Sequence, residues 1–117
     1  MSKRPIDLLL NDILESIDKV EQYTRGMSFD TFSNDQKSID AVVRNLEIIG
    51  EAANRLPDDF KERHSNVEWH KVVGLRNRII HEYFGIDLQI IWQIVHADLL
   101  ELRQTLSREY NRDSHLF

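Results

Sequence analysis

The stretch SNDQKSIDAVVRNLEIIGEAANRLP, Ser33–Pro57, decides the fold. Ile39, Val42, Val43, Leu46, Ile49, Ala53 and Leu56 recur three or four residues apart. On a helix turning about 100° per residue, that spacing draws one apolar stripe. Ser33 followed by Gln36 fits a capping box at the start, and Pro57 closes the end. Glu51 and Arg55 sit four apart as a favourable helical pair. A long amphipathic helix needs other helices to cover its stripe, and the flanking sequence supplies them.

Upstream, Pro5 suits a first helical position. Ile6, Leu9, Leu10, Ile13, Ile17 and Val20 form a second stripe, running to about Tyr23 and stopping before Gly26. The piece MSFDTF between the two helices reads as a turn of helix or a loop. Downstream, the polar DDFKERHSN reads as a short helix and a connection. A third helix is expected from Asn66 or Val67, with Trp69, Val72, Val73 and Ile80 on one face. Gly74 inside it costs about 1 kcal/mol against Ala, which implies a close approach there. Asp87 caps a last helix whose stripe is Leu88, Ile91, Trp92, Val95, Leu99, Leu102 and Leu106. Ile90, Ile94 and Leu100 fall outside that stripe, so this helix is expected to meet a second partner such as another subunit. The tail 107–117 lacks a pattern and is expected to fray.

The result is an all-α protein, an antiparallel bundle of four to five helices in one domain over residues 1–117. That length supports one core and is short for two. With no cysteine, disulfides, thiol nucleophiles and cysteine zinc sites are excluded together. The basic start is followed by an apolar run that breaks at Asn11 and Asp12, too short for a signal peptide or a membrane span. A cytoplasmic protein with no membrane association is therefore expected. The net charge of −5 excludes a non-specific nucleic-acid coater. Between Trp69 and His81, however, the only formal charges are Lys71, Arg76 and Arg78, a window able to hold one phosphate.

No His pair has the four-residue spacing of a helical metal site, so neither metal nor cofactor is expected. His64 and His70 read as surface residues, while His96 and Asp98 face apart. Asp58–Asp59 and Asp30–Asp35 read as solvated caps. The unusual segment is GLRNRIIHEYFGID, Gly74–Asp87, which packs Arg76, Asn77, Arg78, His81 and Tyr83 into eight positions. Arg76 falls within the apolar stripe, and a buried guanidinium needs a carboxylate, a phosphate or an interface. Glu47 or Glu51 would serve as a purely structural partner. Asn77 and His81 share a face four residues apart, and Arg78 lies beside them. Tyr83 reads either as an aromatic closing the stripe or as a phenol at a helix end. An imidazole to move protons beside guanidinium groups to hold charge suits phosphoryl chemistry.

RNRIIHEY resembles the motif of the HEPN superfamily: Arg, a polar residue directly after it, then His. The extended form Arg-x4-His-x-Tyr, met here as Arg76, His81 and Tyr83, resembles the HepT toxin branch. RNLEIIGEAANRLP and WHKVVGLRNRIIHEYFGIDLQIIWQIV widen the likeness to about Asp40–Leu102. The resemblance implies a metal-independent endoribonuclease toxin acting on RNA as a homodimer, its two motifs meeting across a twofold cleft. It also implies a partner, a minimal (MNT-type) nucleotidyltransferase antitoxin that silences the toxin by attaching AMP to Tyr83, a type VII-like system. Arg76 and His81 are then catalytic, with Asn77 and Arg78 in support. The alternative within the same superfamily is a non-catalytic module that binds nucleotides or serves as the helical partner of a nucleotidyltransferase.

Overall fold

The computed structural model describes residues 5–75, 77 and 87–114, with 109–114 described by backbone alone. These residues form α1 (Ile6–Thr24), α2 (Phe29–Ser33), α3 (Gln36–Arg55), α4 (Asp58–Arg63), α5 (Trp69–Val73), α6 (Leu88–Gln93) and α7 (Leu99–Ser114). A π-helical turn, Ile94–Asp98, joins α6 to α7 without leaving helical dihedrals. No strand occurs among the described residues. The all-α expectation holds. None of the described helices is long and apolar enough to cross a membrane.

Helices α1 and α3 make the most extensive contact of the fold. Leu9 and Asp12 of early α1 share a groove with Arg44–Arg55 of later α3, as antiparallel neighbours must. The two stripes are buried as read: Leu10, Ile13, Ile17, Val42, Leu46 and Ile49 are fully enclosed. Helix α7 lies against α1, fastened by Arg103. Its guanidinium donates to Glu21 Oε2 at 2.7 Å and to Asp18 Oδ1.

The start of α3 corrects the expected capping box. Ser33 belongs to the end of α2, where its hydroxyl donates to Asp30 O at 2.9 Å. The cap is Asp35, which accepts from Ser38 N at 3.2 Å and from Ser38 Oγ at 2.9 Å. The piece MSFDTF forms its own helical turn, capped by Ser28, and so consumes Ser33. Asp35→Ala should cost about 1 kcal/mol in urea denaturation, whereas Ser33→Ala should lie within about 0.5 kcal/mol of wild type.

The third helix starts later than its periodicity predicts and is interrupted at Gly74, with Leu75 and Asn77 helical again and Ile80 outside the described residues. Val67 N donates to His64 O, Trp69 N donates to Val67 O at 2.9 Å, and the Trp69 indole donates to His64 O at 3.0 Å. These bonds hold 64–68 as a tight connection, and α5 opens only at Trp69. It closes at Gly74, whose φ of −76° and ψ of −3° leave the ideal helix. The close approach implied by Gly74 is to the chain itself: a Cβ there would stand 2.9 Å from His70 O. Gly74→Ala should therefore destabilise by about 1–2 kcal/mol despite alanine's better helix propensity, a loss visible as a lower Tm.

Asp87 caps α6 as expected, accepting from Gln89 N at 3.1 Å. Ile94, read as outside the last stripe, is buried at 3 % exposure. The reason is the π turn, whose wider i→i+5 winding advances less per residue. Ile91, Ile94, Val95, Leu99, Leu102 and Leu106 thereby share one buried face. Ile90 also packs on the core, and Leu100 alone of the three off-stripe residues stays exposed. Helical backbone continues through Ser114, into the tail expected to fray.

Candidate functional site

Arg76, Arg78, His81 and Tyr83 lie outside the described residues, as do Ile80 and Gly85. The frame around them is described on both sides. Trp69 is buried, with its ring 6.2 Å from that of Phe60, and fixes the start of α5. Helix α5 packs on α3, and Leu75, at 5 % exposure, anchors the chain directly before Arg76. Asn77 is helical and exposed, so its amide is available to a ligand or to a neighbouring imidazole. The chain is fixed again at Asp87. Beyond it, the Trp92 ring stands 5.2 Å from Phe32 and 6.1 Å from Phe29. The described chain on either side of the motif thus carries a packed aromatic, Trp69 before it and Trp92 after it.

A groove of about 400 Å³ opens beside this frame, between α5 with its preceding connection and the start of α7. Val72, Leu75, Ile94 and Leu102 form apolar walls, and Glu68, Lys71, Asp98 and Arg108 stand among its polar residues. Lys71 Nζ meets Glu68 Oε2 at 2.6 Å. The hydrogen bond from Lys71, then its charge, holds the Glu68 carboxyl below the usual carboxylate range. Leu75, the residue directly before Arg76, is part of the lining of this groove. No sequence pattern marks it, because its two walls are some thirty residues apart; the off-stripe position of Ile94 is its only trace.

The other candidates resolve to structural roles. His64 rests on Phe60 with ring centroids 4.5 Å apart, and His70 is exposed. His96 lies in the π turn, with Nδ1 2.9 Å from Trp92 O and its ring 4.0 Å from the indole. Asp58 and Asp59 occupy the exposed first turn of α4, and Asp35 is a cap. Arg55 Nη2 stands 3.6 Å from Glu51 Oε1. Among the described residues no three His or carboxylate groups gather as a metal site.

The described residues form an all-α bundle, and the sequence carries Arg–x4–His–x–Tyr between α5 and α6. The ribonuclease HepT-like family matches residues 13–109. The chain belongs to the HepT-like ribonuclease family, of the HEPN type. It is 44 % identical over 104 residues to "Putative RNase MJ1380" of Methanocaldococcus jannaschii, covering 89 % of this chain and 95 % of that protein. It is 42 % identical over 94 residues to "Probable ribonuclease HepT" of Thermococcus cleftensis, covering 80 % and 86 %. A third relative, "Putative RNase TTE0752" of Caldanaerobacter subterraneus, is 41 % identical over 95 residues, covering 81 % and 85 %. No solved structure matches the chain significantly.

Proposed function

We propose that this protein is a metal-independent endoribonuclease that works as a homodimer in the cytoplasm, the toxin of a toxin–antitoxin pair. The observation that carries the reading is Arg76, His81 and Tyr83 at family spacing in a chain of the HepT-like ribonuclease family. Cleaving RNA without a metal needs one group to take the proton from the ribose 2′-OH and another to protonate the departing 5′ oxygen. The motif supplies one imidazole per chain, and a symmetric dimer supplies two. The 2′ oxygen bonds to phosphorus as the P–O5′ bond breaks. One His81 accepts the first proton, and the His81 of the second copy, protonated, donates the other. The products are a 2′,3′-cyclic phosphate and a free 5′-hydroxyl. Arg76 stabilises the charge that builds on the non-bridging oxygens, with Asn77 and Arg78 in support.

Tyr83 is the control point. A nucleotidyltransferase antitoxin joins the phenol oxygen to the α-phosphate of ATP and releases pyrophosphate. The attached AMP brings bulk and negative charge beside Arg76 and His81, which blocks substrate and occupies the guanidinium groups. The test is an RNA-cleavage assay in EDTA with analysis of product ends, run on protein made with and without a minimal nucleotidyltransferase. Cyclic-phosphate ends from the unmodified protein, and none from protein heavier by AMP, are expected. Absence of cleavage from both samples overturns the reading in favour of a binding module. Tyr83→Phe should keep its cleavage and lose all sensitivity to the antitoxin.

A further inference from the structure

The groove between α5 and α7 is built as a slot. Val72 and Leu75 line one side and Ile94 and Leu102 the other, around about 400 Å³ of space, a volume within the range of small-ligand clefts. Asn66 Nδ2 donates to Thr105 Oγ1 at 3.2 Å and ties the two sides together at one end. Toward the other end stand Leu75 and Ile94, and the residue after Leu75 is Arg76. Two further observations point to a ligand. The π turn Ile94–Asp98 is a winding common at functional sites; it brings Ile94 into the wall while Asp98 lines the same groove. Asp98, Glu101 and Gln104 are exposed along the rim, and none has a hydrogen-bond or ion-pair partner among the described residues. Glu68 differs, because Lys71 Nζ meets it at 2.6 Å.

The lining carries three carboxylates, Glu68, Asp98 and Glu101, against the cations Lys71 and Arg108. That balance repels a phosphate and suits the base of a nucleotide, a flat ring with apolar faces and a polar edge. An ionised carboxylate only accepts hydrogen bonds. Guanine offers it two adjacent donors, N1–H and the N2 amino group, one for each oxygen. Cytosine and adenine offer a single amino group, and uracil a single ring N–H. We propose that this groove is a base subsite of the ribonuclease: it takes a guanine next to the scissile phosphate, between the Val72–Leu75 and Ile94–Leu102 walls, with Asp98 accepting from N1–H and N2–H. Asp98 shares the π turn with Ile94, at the end of the groove where Leu75 leads into Arg76, whereas Glu101 lies a turn further away. The proposal rests on the ribonuclease reading above and names the base that the site selects.

The test uses the full chain and two sets of short fluorescein-labelled RNAs that differ only in the bases flanking the cut. One set is cleavable and gives kcat/KM. The other carries 2′-deoxyribose at the cut, which removes the attacking hydroxyl, and gives Kd by fluorescence anisotropy. Guanine at one flanking position should raise kcat/KM and tighten Kd about tenfold or more over the other three bases. Asp98→Asn puts a donor where guanine needs an acceptor and should erase that preference in both readouts. Gln104→Trp, at an exposed rim position, should cover the groove and weaken the guanine analogue to the level of the other three; helix content by circular dichroism checks both variants. Cleavage without base preference, or a guanine preference that survives both variants, overturns the subsite and leaves the ribonuclease reading standing. Guanine-selective binding of the analogues, lost in Asp98→Asn, with no cleavage of any RNA overturns the ribonuclease reading and keeps the groove as a guanine site. Neither binding nor cleavage overturns both.

Discussion

Under the proposed mechanism His81→Ala should abolish RNA cleavage, with a loss of about 10²–10⁴ in kcat, while the oligomeric state in solution and the melting temperature stay unchanged. The magnitude is that of removing a positioned proton-transfer group, and the symmetric mechanism places it near the upper end, since one substitution removes both the base and the acid. Arg76→Ala should also cost about 10²–10³, but by another route. It removes charge stabilisation from the transition state and leaves the proton carriers in place. Wild type should therefore show a bell-shaped dependence of kcat/KM on pH, one limb for each protonation state of the His81 pair. Arg76→Ala should keep that shape at reduced height. Mixing His81→Ala with wild-type subunits gives the sharper check. Heterodimers with one imidazole should be nearly inactive under the two-histidine mechanism, whereas about half the activity per dimer would show that each chain cuts alone.

The fold was legible in the sequence where packing is periodic. The stripes of α1 and α3 are buried as read, because a continuous helix against a continuous helix leaves a regular record. Legibility failed where the determinant is a local bond or a tertiary choice. Asp35 and Ser33 are both good caps, and which one serves depends on α2 having formed. The late start of α5 is set by the Trp69 indole reaching His64 O, a contact without a period. Ile94 looked misplaced because an α-helical wheel was assumed through a π turn. The candidate site shows the same division. Its residue types and spacing are plain in Gly74–Asp87, and Asp87 could be assigned as the cap that follows it. The groove between α5 and α7 was invisible, since distant segments build it.

Phe32→Ala should be the most damaging single truncation, about 3–5 kcal/mol, a large share of the 5–15 kcal/mol that holds an ordinary domain together. Phe32 is fully enclosed and is the only buried residue of α2, a helix of five residues that cannot stand alone. Its ring lies 5.2 Å from Trp92, so it ties the α1–α3 connection to α6, where the chain resumes after the motif. Phe29 also touches Trp92, at 6.1 Å between centroids, but is only half-buried. Phe29→Ala should cost about a third as much, because less apolar area leaves water there. Urea denaturation followed by tryptophan fluorescence measures both. In Phe32→Ala the Trp92 contribution should shift toward its solvated wavelength before the main transition, because α6 loses its aromatic support first. A single unshifted transition with a loss below about 1 kcal/mol would show that α6 is held by α7 and the core alone. The functional consequence follows from position: Asp87 begins α6, so loosening α6 releases one end of the segment that carries His81. Cleavage by Phe32→Ala should fall at temperatures well below its Tm, through misplacement of the imidazole rather than loss of it, and lowering the temperature should recover the rate.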